Sequence, residues 1–134
     1  MPRQQLGDRM DHDINAMIKR VVYPMRTDHP DNARAVALLG DQGCNMVSFE
    51  LTGGRRQANA FTRGAEGISF APTLGDVGTT LSHPASSSHR ALTPDERAGL
   101  GLSEGFFRVS VGLEDPEALK QVFSQAAAEA ADLD

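Results

Sequence analysis

The sequence predicts an α/β (α+β) domain in two layers, a mostly antiparallel sheet with helices covering one face. Three observations carry that expectation. Strand candidates alternate with helical segments along the whole chain. The clearest strands are apolar on one face only, whereas a sheet buried on both faces needs continuously apolar strands. The helical segments carry single apolar stripes, enough to cover one side of a sheet.

Residues 1 to 9 are polar and read as a linker or frayed N-terminus, so the domain is expected to run from 10 to 134. Met10, Ile14, Met17 and Ile18 recur at spacings of three and four, which predicts an amphipathic helix from Met10 to Lys19. Val21-Val22-Tyr23 is a brief β-branched strand candidate stopped by Pro24. The turn Asp28-His29-Pro30-Asp31 precedes a second helix, with Asp31 placed as N-cap and Gly40 as the glycine beyond its end.

The segment from Asn45 to Leu51 is the first clear strand, with Val47, Phe49 and Leu51 alternating against Met46, Ser48 and Glu50. Gly53-Gly54 breaks it, and a helix follows from Arg55 to about Arg63. Ile68 to Ala71 and Thr79 to His83 are short strand candidates, each closed by a proline. Thr93-Pro94-Asp95-Glu96 is a strong helix start, and Gly99 and Gly101 end that helix early. Phe106 to Val111 is the last strand, with Phe107, Val109 and Val111 on one face and Phe106, Arg108 and Ser110 on the other. The final helix opens at Asp115 and Pro116, and Leu119, Val122, Phe123, Ala126, Ala127, Ala130 and Leu133 trace its apolar stripe.

Composition narrows the function. The 134 residues suit one domain with a single modest core. A formal net charge of -5, with no continuous basic face, argues against nucleic acid as a partner. No run approaches the length of a membrane span, and no apolar leader follows Met1, so no membrane partner and a cytoplasmic setting are expected. Cys44 is the only cysteine, which excludes an internal disulfide and a cysteine-only zinc site.

Arg108 is the most informative single residue. A charge inside an apolar strand needs a partner or solvent. A guanidinium fork suits a carboxylate, while a surface or salt-bridged arginine is the plainer alternative. The stretch from Thr73 to Thr80 is rich in glycine and hydroxyls and could offer amides to an anion, but it matches no nucleotide motif and reads better as a turn. His83-Pro84-Ala85-Ser86-Ser87-Ser88-His89 has neither zinc spacing nor a nucleophile elbow, which favours a turn packed by its own hydrogen bonds over metal or serine chemistry.

Four segments together resemble one family. Asn45-Met46-Val47-Ser48-Phe49-Glu50-Leu51 before Gly53-Gly54 resembles the "G-G-M-v-S-F-e-L-x-G-G" strand of the Cys/Met metabolism (trans-sulfuration) pyridoxal-phosphate enzymes. Ala71-Pro72-Thr73-Leu74-Gly75-Asp76-Val77 resembles their "A-x-S-L-G-D-V" loop, and His83 to His89 resembles "H-P-A-S-x-[ST]-H". Phe107 to Asp115 resembles "v-R-L-S-V-G-[IL]-E-D". Order and spacing agree from about Met10 onward, and the loop is most similar to the O-acylhomoserine sulfhydrylase and methionine γ-lyase branches.

The resemblance implies the C-terminal small domain of such an enzyme, in which Arg108 grips the substrate α-carboxylate with Thr73 and Leu74 beside it. It implies pyridoxal phosphate (PLP) in the parent family, but no cofactor on this chain alone. The imine lysine lies in the family's large domain, and neither Lys19 nor Lys120 matches its motif. No catalytic or metal-binding residue is therefore expected here, and the chain alone should be inactive. Two departures stand out: Cys44-Asn45 replaces a glycine pair, and Thr73 replaces a serine. The expected partners are an amino-acid carboxylate and either the large PLP-binding domain or a second copy in a homo-oligomer. The alternative is a free-standing amino-acid-binding or oligomer-forming module derived from that domain.

Overall fold

In this computed structural model the chain is described over residues 17–71, 75–87 and 89–131. Among those residues the strands run in chain order β1 (Ile18–Val22), β2 (Met46–Leu51), β3 (Ser69–Phe70), β4 (Thr80–Ser82) and β5 (Phe106–Ser110). The helices are α1 (Asn32–Leu39), α2 (Arg55–Gly64), α3 (Pro94–Gly99) and α4 (Pro116–Ala131), with a 3-10 turn at Pro84–Ser86. The strands form one open sheet in the order β1-β2-β5-β4-β3. Every pairing is antiparallel except β3 with β4, which is parallel. The expected mostly antiparallel mixed α/β domain is the one observed.

The core lies between the sheet and the α2–α4 helix pair. Phe49 and Phe107 face each other across β2 and β5, with ring centroids 5.4 Å apart. Phe61 from α2 packs 5.3 Å from Phe49 and 5.2 Å from Phe107, while Phe123 from α4 lies 6.2 Å from Phe61. All four rings are buried, with Val47, Leu51, Leu81 and Val109 around them. Of the stripe on the last helix, Leu119, Phe123, Ala126, Ala127 and Ala130 are buried and Val122 is packed against the core, whereas Leu133 lies outside the described residues.

The helix expected from Met10 to Lys19 is corrected where the structure describes it. Residues 10–16 lie outside the described residues, and from Ile18 onward the chain is strand β1. The free edge of β2 supplies the reason: Ile18 pairs with Leu51, Val21 with Phe49 and Val22 with Ser48, so backbone groups a helix would use go into the ladder. Met17 and Ile18 still pack against the core. Their spacing fitted two periods, and the β-branched run Ile18, Val21, Val22 decided for strand.

Local signals mostly hold. Thr93 Oγ1 accepts from the Glu96 amide at 3.2 Å while the Glu96 carboxylate accepts from the Thr93 amide, the capping box read from the sequence. Asp115 Oδ2 accepts from the Ala118 amide at 3.3 Å ahead of α4. Asp31 occupies the N-cap position of α1, but its side chain makes no capping bond. The helix buries only Ala35, and Val36, Leu38 and Leu39 are exposed.

One close approach sets the spacing of the two packed helices. A Cβ placed on Gly64 would stand 2.8 Å from Ala126 Cα. Gly64→Ala is therefore expected to destabilise by about 1–3 kcal/mol, although alanine is the better helix former. Gly99→Ala, with nothing within 4 Å of the added carbon, should stay within about 1 kcal/mol of the parent and lean towards stabilisation. Urea unfolding of both variants tests the contact, and equal behaviour of the two would refute it.

Candidate functional site

The two faces of β5 separate as alternation requires. Phe107 and Val109 enter the core, so Arg108 projects from the opposite, outer face. The register places Ser48 of β2 directly opposite Arg108 on one side and Ser82 of β4 on the other. Neighbours Val47, Phe49 and Leu81 are buried with the core. The outer face thus carries a cross-strand row Ser48–Arg108–Ser82, with Arg108 partly exposed at its centre.

Covers lie on both flanks of that row, along β5. Towards the end of β5, Ser110 is buried because Asn45 Nδ2 and the Gly75 amide both donate to its hydroxyl at 3.3 Å. The loop through Gly78 is held down by Glu114, whose carboxylate accepts from the Thr79 amide and hydroxyl, each at 2.8 Å. The Gly112 amide in turn donates to the Thr79 hydroxyl at 2.9 Å. Burial pushes the Glu114 carboxyl up, but the two Thr79 bonds outweigh it and the net direction is down. Gly112 has no room for a side chain, since a Cβ would meet the Val77 carbonyl oxygen at 2.4 Å.

At the start of β5, the turn at Gly101–Gly105 closes the other end. Arg20 donates to the Gly101 carbonyl at 3.2 Å and its guanidinium lies 6.0 Å from the Phe106 ring. Glu50, the one carboxylate of the β2 outer face, accepts from the Ser103 hydroxyl at 2.6 Å and pairs with Lys19 at 3.5 Å and Arg20 at 3.7 Å.

His83 knits this cover to the sheet. Its Nε2 lies 2.5 Å from the Glu104 carbonyl oxygen and so carries the proton, leaving Nδ1 to accept from the Ser86 hydroxyl at 2.8 Å. The ring packs 4.9 Å from Phe107. The Glu104 carboxylate accepts from Arg55 at 2.6 Å and from Arg97 at 3.3 Å, which holds its pKa below the usual carboxylate range. Ser87 donates to the His83 carbonyl at 2.8 Å, so His83 to Ser87 is the self-bonded turn expected. Among the described residues no cluster of three metal-ligating side chains occurs.

Three amides in the described part of the glycine-rich loop, those of Gly75, Gly78 and Thr79, bond to Ser110, Asp76 and Glu114, which favours the turn reading over an anion cradle. Thr73 and Leu74 lie outside the described residues. Beside Ser82 a cleft of about 130 Å³ has Phe70, Leu81 and His83 in its walls. Alternation alone pointed to Arg108. It left open Ser48 and Ser82, because cross-strand register joins residues far apart in sequence, and Glu114, whose partner Thr79 is 35 residues away.

This chain belongs to the Cys/Met metabolism PLP-dependent enzyme family, whose model matches residues 11–128. It is 40% identical over 103 residues to the O-succinylhomoserine sulfhydrylase of Pseudomonas aeruginosa, covering 77% of this chain and 25% of that protein. Against the L-methionine gamma-lyase of Pseudomonas putida it is 38% identical, covering 81% of this chain and 27% of the relative. The solved cystathionine gamma synthase of Xanthomonas oryzae pv. oryzae in complex with cystathionine superposes with a TM-score of 0.82 at 34% identity, over 96% of this chain and 34% of that one. The chain thus spans about a quarter to a third of the length of these relatives.

The residues in hand do not fit the cofactor by themselves. PLP enzymes hold it as an imine on lysine with an acid at the ring nitrogen. The two lysines here are Lys19, paired with Glu50 at the β1 edge, and Lys120, 3.6 Å from Glu117 on α4. Neither stands in the Arg108 row.

Burial depresses the His83 pKa below 6.5, outweighing the opposing pull of the Glu104 carbonyl. The unfolded chain then takes up that proton first, so stability falls as pH drops from about 6.5 through the lower folded value. His83→Gln should flatten this part of a urea-unfolding series taken from about pH 7.5 to about pH 3. The further loss from Glu104 and Glu114 should remain, below their ordinary value of 4.5. An unchanged slope above that range in the variant would show that another group is responsible.

Proposed function

We propose that this chain is the substrate-carboxylate-binding domain of a PLP-dependent enzyme of sulfur amino-acid metabolism, acting in β/γ elimination or replacement. The observation that carries the reading is the placement of Arg108 at the centre of the outer sheet face, between two cross-bonded covers. A guanidinium stays charged at any physiological pH and presents paired donors that match a carboxylate's two oxygens. A strand buried on its other side gives that fork a rigid base. In this reading Thr73 and Leu74 belong to the carboxylate site with Arg108. The large PLP-binding domain covers the outer face and supplies the lysine, and the chain alone turns over no substrate.

Titration of the chain with L-methionine, followed by isothermal calorimetry, tests the site directly. Arg108→Ala should weaken binding by about tenfold or more, the scale of one charge-assisted hydrogen bond. Arg108→Lys should recover only part of it, because an ammonium cannot offer the paired fork. Binding unchanged in Arg108→Ala would remove the carboxylate reading.

A second reading, an oligomer-forming module, draws on α1, where Leu38 is 77% exposed beside Val36 and Leu39. An uncovered apolar patch favours association with a second copy. Light scattering should then give a dimer mass that Leu38→Ser lowers, and a monomer mass at high concentration would discard this reading.

A further inference from the structure

We propose that Ser48 and Ser82 are hydroxyl donors that complete the carboxylate site on either side of Arg108. The inference rests on Arg108 being the carboxylate clamp and adds residues to that same site. Both serines sit directly opposite Arg108 in register and point from the same face. Side chains so paired have Cβ atoms about 4.5–5.5 Å apart, within reach of one small ligand group. A carboxylate gripped by a guanidinium fork spends one lone pair on each oxygen and keeps others. A hydroxyl on each flank supplies the missing donors.

The other polar groups nearby are already engaged. Ser110 accepts from Asn45 and Gly75, Thr79 is bonded to Glu114 and Gly112, and Ser103 is spent on Glu50. Ser86 and Ser87 bond to His83. Among the described residues the Ser48 and Ser82 hydroxyls carry no such bond. Ser82 is buried within the fold yet forms part of the wall of the 130 Å³ cleft. A donor that the fold leaves uncommitted beside a fixed cation is a group kept for a ligand.

The test compares L-methionine with its carboxamide on the intact chain, reading affinity by calorimetry and the Arg108 side-chain Nε–H shift by NMR. Ser48→Val and Ser48→Thr have nearly equal shape and suit a strand, but only threonine keeps the hydroxyl. Ser48→Val and Ser82→Ala should each weaken L-methionine binding by about three- to tenfold, with little change for the carboxamide, while Ser48→Thr binds as the parent does. The ligand-induced Arg108 shift should persist in all three. If both hydroxyl-free variants bind as the parent does while Arg108→Ala fails, the serine assignment is overturned and the carboxylate clamp stands. If Arg108→Ala also binds normally, the clamp and the serine assignment fall together.

Discussion

The pairing of Phe49 with Phe107 is the constraint on which the rest of the molecule depends. The two rings oppose each other across the central strands and are sealed from above by Phe61 and Phe123. Strand side chains alternate with a period of two, so burying this pair settles the direction of every neighbour. Ser48, Arg108 and Ser82 are turned outward by the same packing that turns Phe49, Phe107 and Leu81 inward. A slip of one residue would drive the Arg108 guanidinium into the aromatic cluster, at a cost of several kcal/mol for an unpaired buried charge. The core thereby fixes the face from which Arg108 projects.

The outer face also carries carboxylates in the neighbourhood of Arg108, and each of those described has its own donors. Glu50 lies one row away, but Ser103, Lys19 and Arg20 surround its carboxylate. Glu114 is turned to Thr79, and Glu104 to Arg55 and Arg97. Each acid near the row is occupied by its own donors, and two of them are held at low pKa by those bonds. The same bonds fasten the loop and the turn that flank the row along β5. One set of contacts thus both engages these acids and shapes the opening.

Periodicity and capping chemistry carried most of the fold into view from the sequence. Val47, Phe49 and Leu51, Phe107 and Val109, and the stripe from Leu119 to Ala130 are core because each repeats at a spacing only one element can use. The Thr93–Glu96 box is equally local and equally legible. Ile18 was not, since its apolar neighbours fit both periods until the unpaired edge of β2 claimed the backbone. Arg108 was legible as a charge on the open face, and family resemblance suggested its partner. The Ser48–Arg108–Ser82 row was not, because register is a property of three strands together and no window along the chain contains it. The same limit hid the Glu114 bond to Thr79.

A clamp mounted on the central strand differs physically from one mounted on a loop. Loops move on the fast end of protein timescales and lose entropy when a ligand orders them. β5 is hydrogen-bonded on both sides, to β2 and β4, and its inner residues are fully buried. The backbone beneath Arg108 therefore has little freedom left to lose, and the binding cost falls mainly on the guanidinium stem. Flanking serines add donors with short side chains and little rotamer entropy of their own. In the site proposed for Arg108, a small planar anion is met by donors whose geometry the sheet already sets. What else the ligand must be is then decided by whatever surface closes over the outer face.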